Sequence, residues 1–84
     1  MKITVRYFAL LRELMGRDSE GLTWDAAEPT VERLRGHLAD RVPAGAGFLR
    51  GGTLLVAVNR EYAAGDTRLK DGDEVALFPP VSGG

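Results

Sequence analysis

Apolar and polar residues alternate over the first eight positions of the chain, MKITVRYF. Ile3, Val5 and Tyr7 fall on one side of this stretch, whereas the polar residues and Phe8 fall on the other. A period of two predicts a β-strand with one buried and one wet face. The next segment, ALLRELMG, is rich in helix formers and closes at Gly16, which predicts a short helix with a glycine C-cap.

The central part of the chain predicts a second strand and the main helix. EGLTWDA places Leu22 and Trp24 on one face of a strand. Thr30, which follows Pro29, is a favourable N-cap residue for a helix. The apolar residues that follow it at helical spacing are Val31, Leu34 and Leu38.

The remaining segments predict a loop and then more strands. VPAGAGFLRGG is interpreted as a loop because of its proline and glycine content. TLLVAVN predicts a strand that turns at Asn59–Arg60 into a short segment through Tyr62. A turn at Asp71–Gly72 precedes the last strand, in which Val75 and Leu77 face inward. One sheet packed on one main helix, with a short additional helix, is an α+β arrangement, and residues 1–84 leave room for a single domain.

The overall composition excludes several function classes. The formal net charge is −1 and basic residues are spread along the chain, which argues against a nucleic-acid-binding surface or a polybasic membrane anchor. No stretch is apolar for long enough to span a bilayer, and polar residues interrupt the first eight positions, so a signal peptide is not expected. We therefore expect a cytoplasmic protein with neither nucleic acid nor membrane among its partners.

Side-chain chemistry is sparse in this sequence. Cysteine is absent, which excludes a thiolate nucleophile, a cysteine-ligated metal site and a side-chain persulfide. The single histidine, His37, cannot form a metal site or a catalytic dyad by itself, and its RGHLAD surroundings indicate a packing or solvated role on a helix. GGTLLVAVN lacks the spacing and the lysine of a phosphate-binding loop. We therefore predict no metal site.

The last residues of the chain read LFPPVSGG. Pro79 and Pro80 favour an extended exit from the last strand, and Gly83 and Gly84 have no β-carbon, so a narrow channel can close around their backbone. From Pro80 to Gly84 the extended reach is about 17 Å, enough to enter a buried site of a partner. On its own, a Gly-Gly end is equally compatible with an inert, floppy terminus.

Phe8 and Phe78 interrupt the inside–outside alternation of the first and last strands. Phe8 aligns with Arg6 on the polar face of the first strand, and Phe78 aligns with Glu74 on the polar face of the last. If the two strands are parallel neighbours, both rings lie at the same end of the outer face, beside the tail, where they predict a docking patch. The alternative is that Phe8 merely covers the ALLREL helix.

Three segments, YFALLRELMG, AVN and LKDGDEVALFPPVSGG, resemble the family of molybdopterin synthase small subunits, which are ubiquitin-like sulfur carriers. The resemblance covers the whole chain in order and with compatible spacing, although Ser82 stands where the family often has threonine. Sulfur carriers for thiamine share the Gly-Gly end but are typically shorter and lack the FALLRELMG segment. The resemblance implies a β-grasp fold, in which the first and last strands lie side by side and parallel.

The same resemblance implies what the terminal residues do. An activating enzyme adenylates the carboxylate of Gly84 with ATP, and sulfur from a donor system then displaces AMP to leave a thiocarboxylate. The loaded tail enters the synthase large subunit and donates sulfur to cyclic pyranopterin monophosphate, which becomes the molybdopterin dithiolene. The chain would thus be a sulfur-donating subunit of a heterotetramer that binds no cofactor itself, with the active-site side chains on the large subunit.

The resemblance also implies a set of partner-binding residues. Phe8, Phe78 and a third position, Tyr62, correspond to the docking patch of the family. Arg12 corresponds to a position that contacts the activating enzyme. The residues assigned to the flexible tail, 79–84, are Pro79, Pro80, Val81, the linker Ser82, Gly83 for threading and Gly84 as the acceptor.

Two other hypotheses remain open at this point. The tail chemistry could serve another acceptor, in thiamine, tRNA or cysteine sulfuration or in conjugation to protein lysines. Alternatively, the chain could be a ubiquitin-like binding module whose Gly-Gly end is inert. A thiocarboxylate on Gly84 separates the binding module from the carriers, and the partner protein that co-purifies separates the carriers from one another.

Overall fold

The computed structural model describes residues 1–80, which contain five strands, three α-helices and one 3-10 turn. The strands are β1 (Lys2–Tyr7), β2 (Ser19–Thr23), β3 (Leu55–Val58), β4 (Glu61–Tyr62) and β5 (Glu74–Phe78). The helices are α1 (Ala9–Met15), α2 (Val31–Arg41) and α3 (Ala46–Leu49), and the 3-10 turn covers Pro43–Gly45. The predictions for Val81, Ser82, Gly83 and Gly84 fall outside the described residues.

The strands form one mixed sheet in the order β2-β1-β5-β3-β4. β1 and β5 are parallel, with Tyr7 opposite Leu77, while the other neighbouring pairs are antiparallel. This arrangement confirms the predicted β-grasp fold, in which the first and last strands lie side by side. The chain leaves the sheet at the end of β5 that lies next to the end of β1 and the beginning of β3.

The inner face of the sheet packs on the helices, and the predicted alternation of β1 and β5 is confirmed. Ile3, Val5 and Tyr7 are buried, and Val75 and Leu77 are fully inaccessible. The helical and β2 side chains in the same cluster include Leu11, Leu22, Val31, Leu34, Leu38 and Leu49. Because each such side chain contributes roughly 1.5–3 kcal/mol on burial, this face stabilises the domain and leaves the outer face free for binding.

Several elements begin or end at the capping and turn residues that the sequence predicts. Thr30 caps α2, where its Oγ1 accepts a hydrogen bond from the backbone N–H of Arg33 at 3.2 Å. Gly16 closes α1 with a left-handed φ of 80°. Between β3 and β4, Asn59 and Arg60 have φ angles of 50° and 72°. Two left-handed residues in succession form the tight hairpin turn whose twist matches that of its strands.

The segment VPAGAGFLRGG is not the loop that its composition predicts. It contains the 3-10 turn and α3, and Leu49 is fully buried. Gly45 permits this packing, because a Cβ at its position would lie 2.9 Å from Sδ of Met15. The guanidinium of Arg35 donates to the carbonyl oxygen of Leu49 at 2.8 Å and to that of Gly51, which satisfies the end of α3. Gly45 therefore reflects close packing against α1.

Pro79 and Pro80, the first two residues assigned to the tail, differ in burial. Pro79 is buried, whereas Pro80 is exposed. Pro79 follows the alternation of Val75 and Leu77, which places it on the inner side of β5. Pro80 is thus the first exposed residue after β5.

Candidate docking surface at the end of the central strands

Phe8 and Phe78 meet on the outer face of the sheet, as the strand alternation predicts. The pairing of Tyr7 with Leu77 brings the next residue of each strand to the same height, and the backbone N–H of Phe8 donates to the carbonyl oxygen of Leu77 at 3.2 Å. The two rings stack with centroids 4.6 Å apart and planes 15° from parallel. Both side chains are half-buried and stand outside the core cluster.

The backbone changes direction sharply after Phe8. Phe8 is extended, with a φ of −120°, and stands at the N-cap of α1, whereas Ala9 has a left-handed φ of 53°. For a residue with a β-carbon this conformation costs on the order of 1 kcal/mol. The chain thus enters α1 at once, and the ring of Phe8 stays against Phe78. This contact favours the docking patch over the alternative that Phe8 only covers the ALLREL helix.

The outer face around the stacked rings forms an open groove of about 320 Å³. Its apolar wall comes from both rings together with Ala57, Ala76 and Tyr62. Tyr62 lies on β4 opposite Ala57 and is 78% exposed, so the structure brings it together with the two phenylalanines. The charged members of the groove are Arg6, Arg60 and Glu74.

Arg6 adds a positive charge directly to the aromatic stack. Its guanidinium carbon lies 5.4 Å from the centroid of the Phe8 ring, within the range of a cation–π interaction. The guanidinium of Arg6 thus covers one face of the Phe8 ring, where a carboxylate of a partner can approach it. The groove therefore combines apolar contact area with a charge that favours one orientation of a partner.

Reasoning from the sequence missed one member of this surface. Leu55 stands opposite Phe78 in the pairing of β3 with β5 and is 52% exposed. Alternation in TLLVAVN places Leu55 on the face opposite Val56, but a continuous apolar run does not reveal which of its faces is wet. We refer to Phe8, Leu55, Tyr62 and Phe78 as the outer-face patch.

Behind the outer-face patch, a polar contact ties β1 to β2 and α2. The hydroxyl of Tyr7 donates to the carboxylate of Glu20 at 2.6 Å, and Arg41 donates to both oxygens of that carboxylate at 2.6 and 2.7 Å. Desolvation disfavours the charged form of Glu20, but the hydrogen bonds from Tyr7 and Arg41 outweigh it, so the pKa of Glu20 is lowered. Burial, and then the bond to Glu20, raise the pKa of Tyr7, which therefore remains a neutral donor.

The other predicted residues take up separate positions. Pro80 follows β5 at the end of the sheet that carries the stacked rings. Arg12 is exposed on α1. The half-buried His37 has its ring centroid 5.9 Å from that of Trp24, which fits a packing role.

Residues 1–80 contain neither a cluster of metal-ligating side chains nor a membrane-spanning helix. Within this range, no group of three or more histidine and carboxylate side chains is placed to hold a metal ion. None of the helices in the described part of the chain combines the length and apolar character needed to cross a bilayer.

Known proteins are similar to this chain in both sequence and fold. Residues 5–84 match the model of the ThiS family. Over 82 residues the chain is 49% identical to the molybdopterin synthase sulfur carrier subunit of Escherichia coli (strain K12), a match that covers 98% of this chain and 99% of that protein.

Two solved structures extend the comparison to the fold. Small archaeal modifier protein 1 of Haloferax volcanii is 30% identical, with a TM-score of 0.79 over 95% of this chain and 98% of that one. A chain in the complex of subunits 1 and 2 of the molybdopterin-converting factor from Helicobacter pylori 26695 is 26% identical, with a TM-score of 0.65 and 100% of both chains covered. Because the family model and the Escherichia coli relative match nearly the whole length, the chain belongs to the ThiS family, and it is similar throughout to molybdopterin synthase sulfur carrier subunits.

Proposed function

We propose that this protein is the sulfur carrier and small subunit of a molybdopterin synthase. The observation that carries the proposal is the Phe8–Phe78 stack, an apolar surface on the wet side of the sheet at the point where β5 leads into the Gly-Gly segment. A docking surface beside the reactive end is what a carrier needs, because binding of the domain then delivers the terminus to the partner's active site. The similarity to named sulfur carrier subunits supports the same assignment.

Gly84 is the residue that carries the sulfur in this proposal. A carboxylate is ionised at neutral pH and is a poor electrophile, so it must be activated. Attack of a Gly84 carboxylate oxygen on the α-phosphorus of ATP releases pyrophosphate and forms an acyl adenylate. A sulfur nucleophile then displaces AMP and leaves the thiocarboxylate. The activating enzyme supplies ATP and the catalytic groups, so this chain needs neither a cofactor nor a nucleophile of its own.

The partner that receives the sulfur is the synthase large subunit. Subunits 1 and 2 of the molybdopterin-converting factor from Helicobacter pylori form a complex, and one chain of that complex shares the fold of this protein. This complex supports such a pairing. In the proposed complex, the outer-face patch binds the large subunit while the segment after Pro80 enters its active site. Sulfur passes from Gly84 to cyclic pyranopterin monophosphate, and the carrier returns to the carboxylate. A heterotetramer with two carriers at separate active sites is the assembly that we propose.

The direct test is the intact mass of the protein after incubation with an activating enzyme, ATP and a sulfur donor. We expect one oxygen atom to be exchanged for sulfur at the carboxyl terminus. The control variants are a deletion of Gly84 and a chain with one residue added after it, both of which should fold normally and gain no sulfur. Sulfur incorporation by the extended variant without trimming would contradict the proposal.

A second candidate is a protein modifier that forms bonds with lysine side chains. The similarity to small archaeal modifier protein 1 favours keeping it, because that match also covers nearly the whole of both chains. A modifier would appear as conjugates of higher mass when the activated protein meets other proteins, whereas a sulfur carrier would be recovered as free thiocarboxylate. Incubation with the activating enzyme and a sulfur donor, in the presence of a lysine-rich acceptor protein, separates the two outcomes.

A further inference from the structure

The nucleophilic amines of this chain are few. Among 11 basic residues only Lys2 and Lys70 are lysines, and the other nine are arginines. An arginine guanidinium stays protonated at any physiological pH and does not attack acyl groups, whereas a lysine or α-amine that loses its proton does. The groups that could react with an activated carboxyl terminus are therefore Lys2, Lys70 and the amino group of Met1.

All three amines lie at one end of the sheet. The carbonyl oxygen of Lys2 accepts a hydrogen bond from the N–H of Gly72 at 2.7 Å, and that of Lys70 accepts one from the N–H of Asp73 at 3.1 Å. Both contacts are at the turn that precedes β5, and Met1 is next to Lys2. The chain leaves β5 at the opposite end, at Pro80.

The distance from the chain exit at Pro80 to the two lysines exceeds what the segment after Pro80 can span. At about 3.3 Å per residue, the stretch from Asp73 to Pro80 is roughly 23 Å long, and that from Gly72 is roughly 26 Å. From the Cα of Pro80 to that of Gly84 there are four residue steps, which extend over about 14 Å at most; the length of about 17 Å given above also counts Pro80 itself. A lysine side chain adds about 6 Å. The combined reach of roughly 20 Å falls short of both lysines.

We infer that the fold keeps the chain's own amines out of reach of its activated carboxyl terminus, so that only an external nucleophile can take the acyl group. This inference rests on the proposed activation of Gly84. An amine within reach would attack the acyl adenylate, form an amide, and release AMP and a proton, which would close the chain into an unreactive ring. Of the cations that line the groove, Arg6 stands opposite Ala76, four residues before Pro80, and supplies positive charge there without this side reaction.

The test introduces a lysine at each end of the sheet and measures ring closure directly. Thr53 is exposed and lies two residues before Leu55, which pairs with Phe78. Thr53→Lys therefore places an amine at the exit of the chain from the sheet. The matched control is Thr23→Lys, since Thr23 is exposed and pairs with Lys2 at the far end.

Each full-length protein is released from an intein fusion with 2-mercaptoethanesulfonate as a Gly84 α-thioester. The internal amide is then followed at mildly alkaline pH by intact mass, because the ring is one water lighter than the hydrolysed acid.

At a protein concentration of about 10 μM, an effective concentration of the order of 1 mM for a short linker predicts ring closure roughly 100-fold faster than any intermolecular reaction. We expect that rate for Thr53→Lys, and only hydrolysis for the wild type and Thr23→Lys. Ring closure in the wild type, or equal rates for the two variants, including equally slow ones, would overturn the inference. The thioester is made without an activating enzyme, so this result is independent of whether the proposed function is correct.

A second pair of variants keeps the net charge unchanged. Arg6 stands opposite Ala76, roughly 13 Å from Pro80 along the strands, which is within the combined reach. Arg6→Lys should therefore also close a ring, whereas Arg68→Lys, next to the Lys70 turn, should not. Peptide mapping of the closed product identifies the amine. A ring through Lys2 or Lys70 in either variant would contradict the reach argument.

Discussion

Phe78 is a large apolar side chain on the solvent side of a strand whose neighbouring residue, Leu77, is fully buried. Loss of its stack with Phe8 should lower the free energy of unfolding by only about 1 kcal/mol, or roughly 4–8 °C in melting temperature. A central aromatic anchor in an interface contributes about 2 kcal/mol or more. We therefore predict that Phe78→Ala weakens binding to the large subunit at least tenfold while the protein remains folded, as measured by calorimetry and thermal unfolding.

The adjacent residue provides the control for this prediction. Leu77→Ala removes a fully buried side chain from the opposite face of β5 and should cost about 2–5 kcal/mol of stability. The folded fraction of Leu77→Ala should still bind the large subunit normally. If Phe78→Ala unfolds the protein while its folded fraction binds with wild-type affinity, the outer-face patch is not the docking surface.

Glu20 is predicted to make stability depend on pH in the acid range. Its pKa is lowered in the folded protein, so its carboxylate stabilises the fold above the ordinary pKa of a glutamate, and this contribution is lost as the pH falls through the folded-state pKa. Glu20→Gln should therefore lower the free energy of unfolding by about 1–2 kcal/mol at pH 7 and by much less near pH 3. Urea unfolding at both pH values checks this, with the exposed Glu13→Gln as a control.

An equal loss of stability at both pH values would show that the loss does not depend on the charge of Glu20. The hydroxyl of Tyr7 can still donate to the amide oxygen of a glutamine at this position. The pH-dependent part of the difference thus reports on the ion pair between Glu20 and Arg41.

At the scale of elements, alternation and capping residues were sufficient to predict β1, α1 and α2. The period of two in MKITVRYF and the cap at Thr30 are local signals, and the structure places these elements accordingly. The helical turn and α3 between Pro43 and Leu49 could not be predicted in this way, because proline and glycine are also loop residues. Only the packing of Gly45 against Met15 distinguishes the two cases, and that contact joins residues 30 positions apart.

The close approach at Gly45 leads to a prediction for this element. A Cβ at Gly45 would lie 2.9 Å from the end of the Met15 side chain and 3.4 Å from methyl groups of Leu11 and Leu49. Gly45→Val should therefore lower the free energy of unfolding by about 1–3 kcal/mol through overpacking. Gly47, whose Cβ would meet nothing within 4 Å, provides the control, and Gly47→Val should change stability by less than about 1 kcal/mol. Equal losses in chemical denaturation would mean that the glycines serve the backbone rather than the packing.

At the scale of the whole molecule, the candidate site depends on pairing that no single segment encodes. The sequence shows that Phe8 and Phe78 each stand on a wet face, but the parallel pairing of β1 with β5 is what stacks their rings. That pairing was expected from the resemblance to sulfur carriers and not from periodicity. Leu55 was missed because the apolar run around it does not show which of its residues face outward. Its pairing with Phe78 places it on the outer face.

Delivery of sulfur from Gly84 to a molybdopterin precursor is the function that we propose for this chain. A preparation with a thiocarboxylate at Gly84 is mixed with a molybdopterin synthase large subunit and cyclic pyranopterin monophosphate, and the intact mass of the carrier is followed together with molybdopterin formation. Because a dithiolene contains two sulfur atoms and each carrier brings one, we predict that two thiocarboxylates become carboxylates for each molybdopterin formed. A thiocarboxylate that persists in the presence of the large subunit and precursor, with no dithiolene formed, would contradict it.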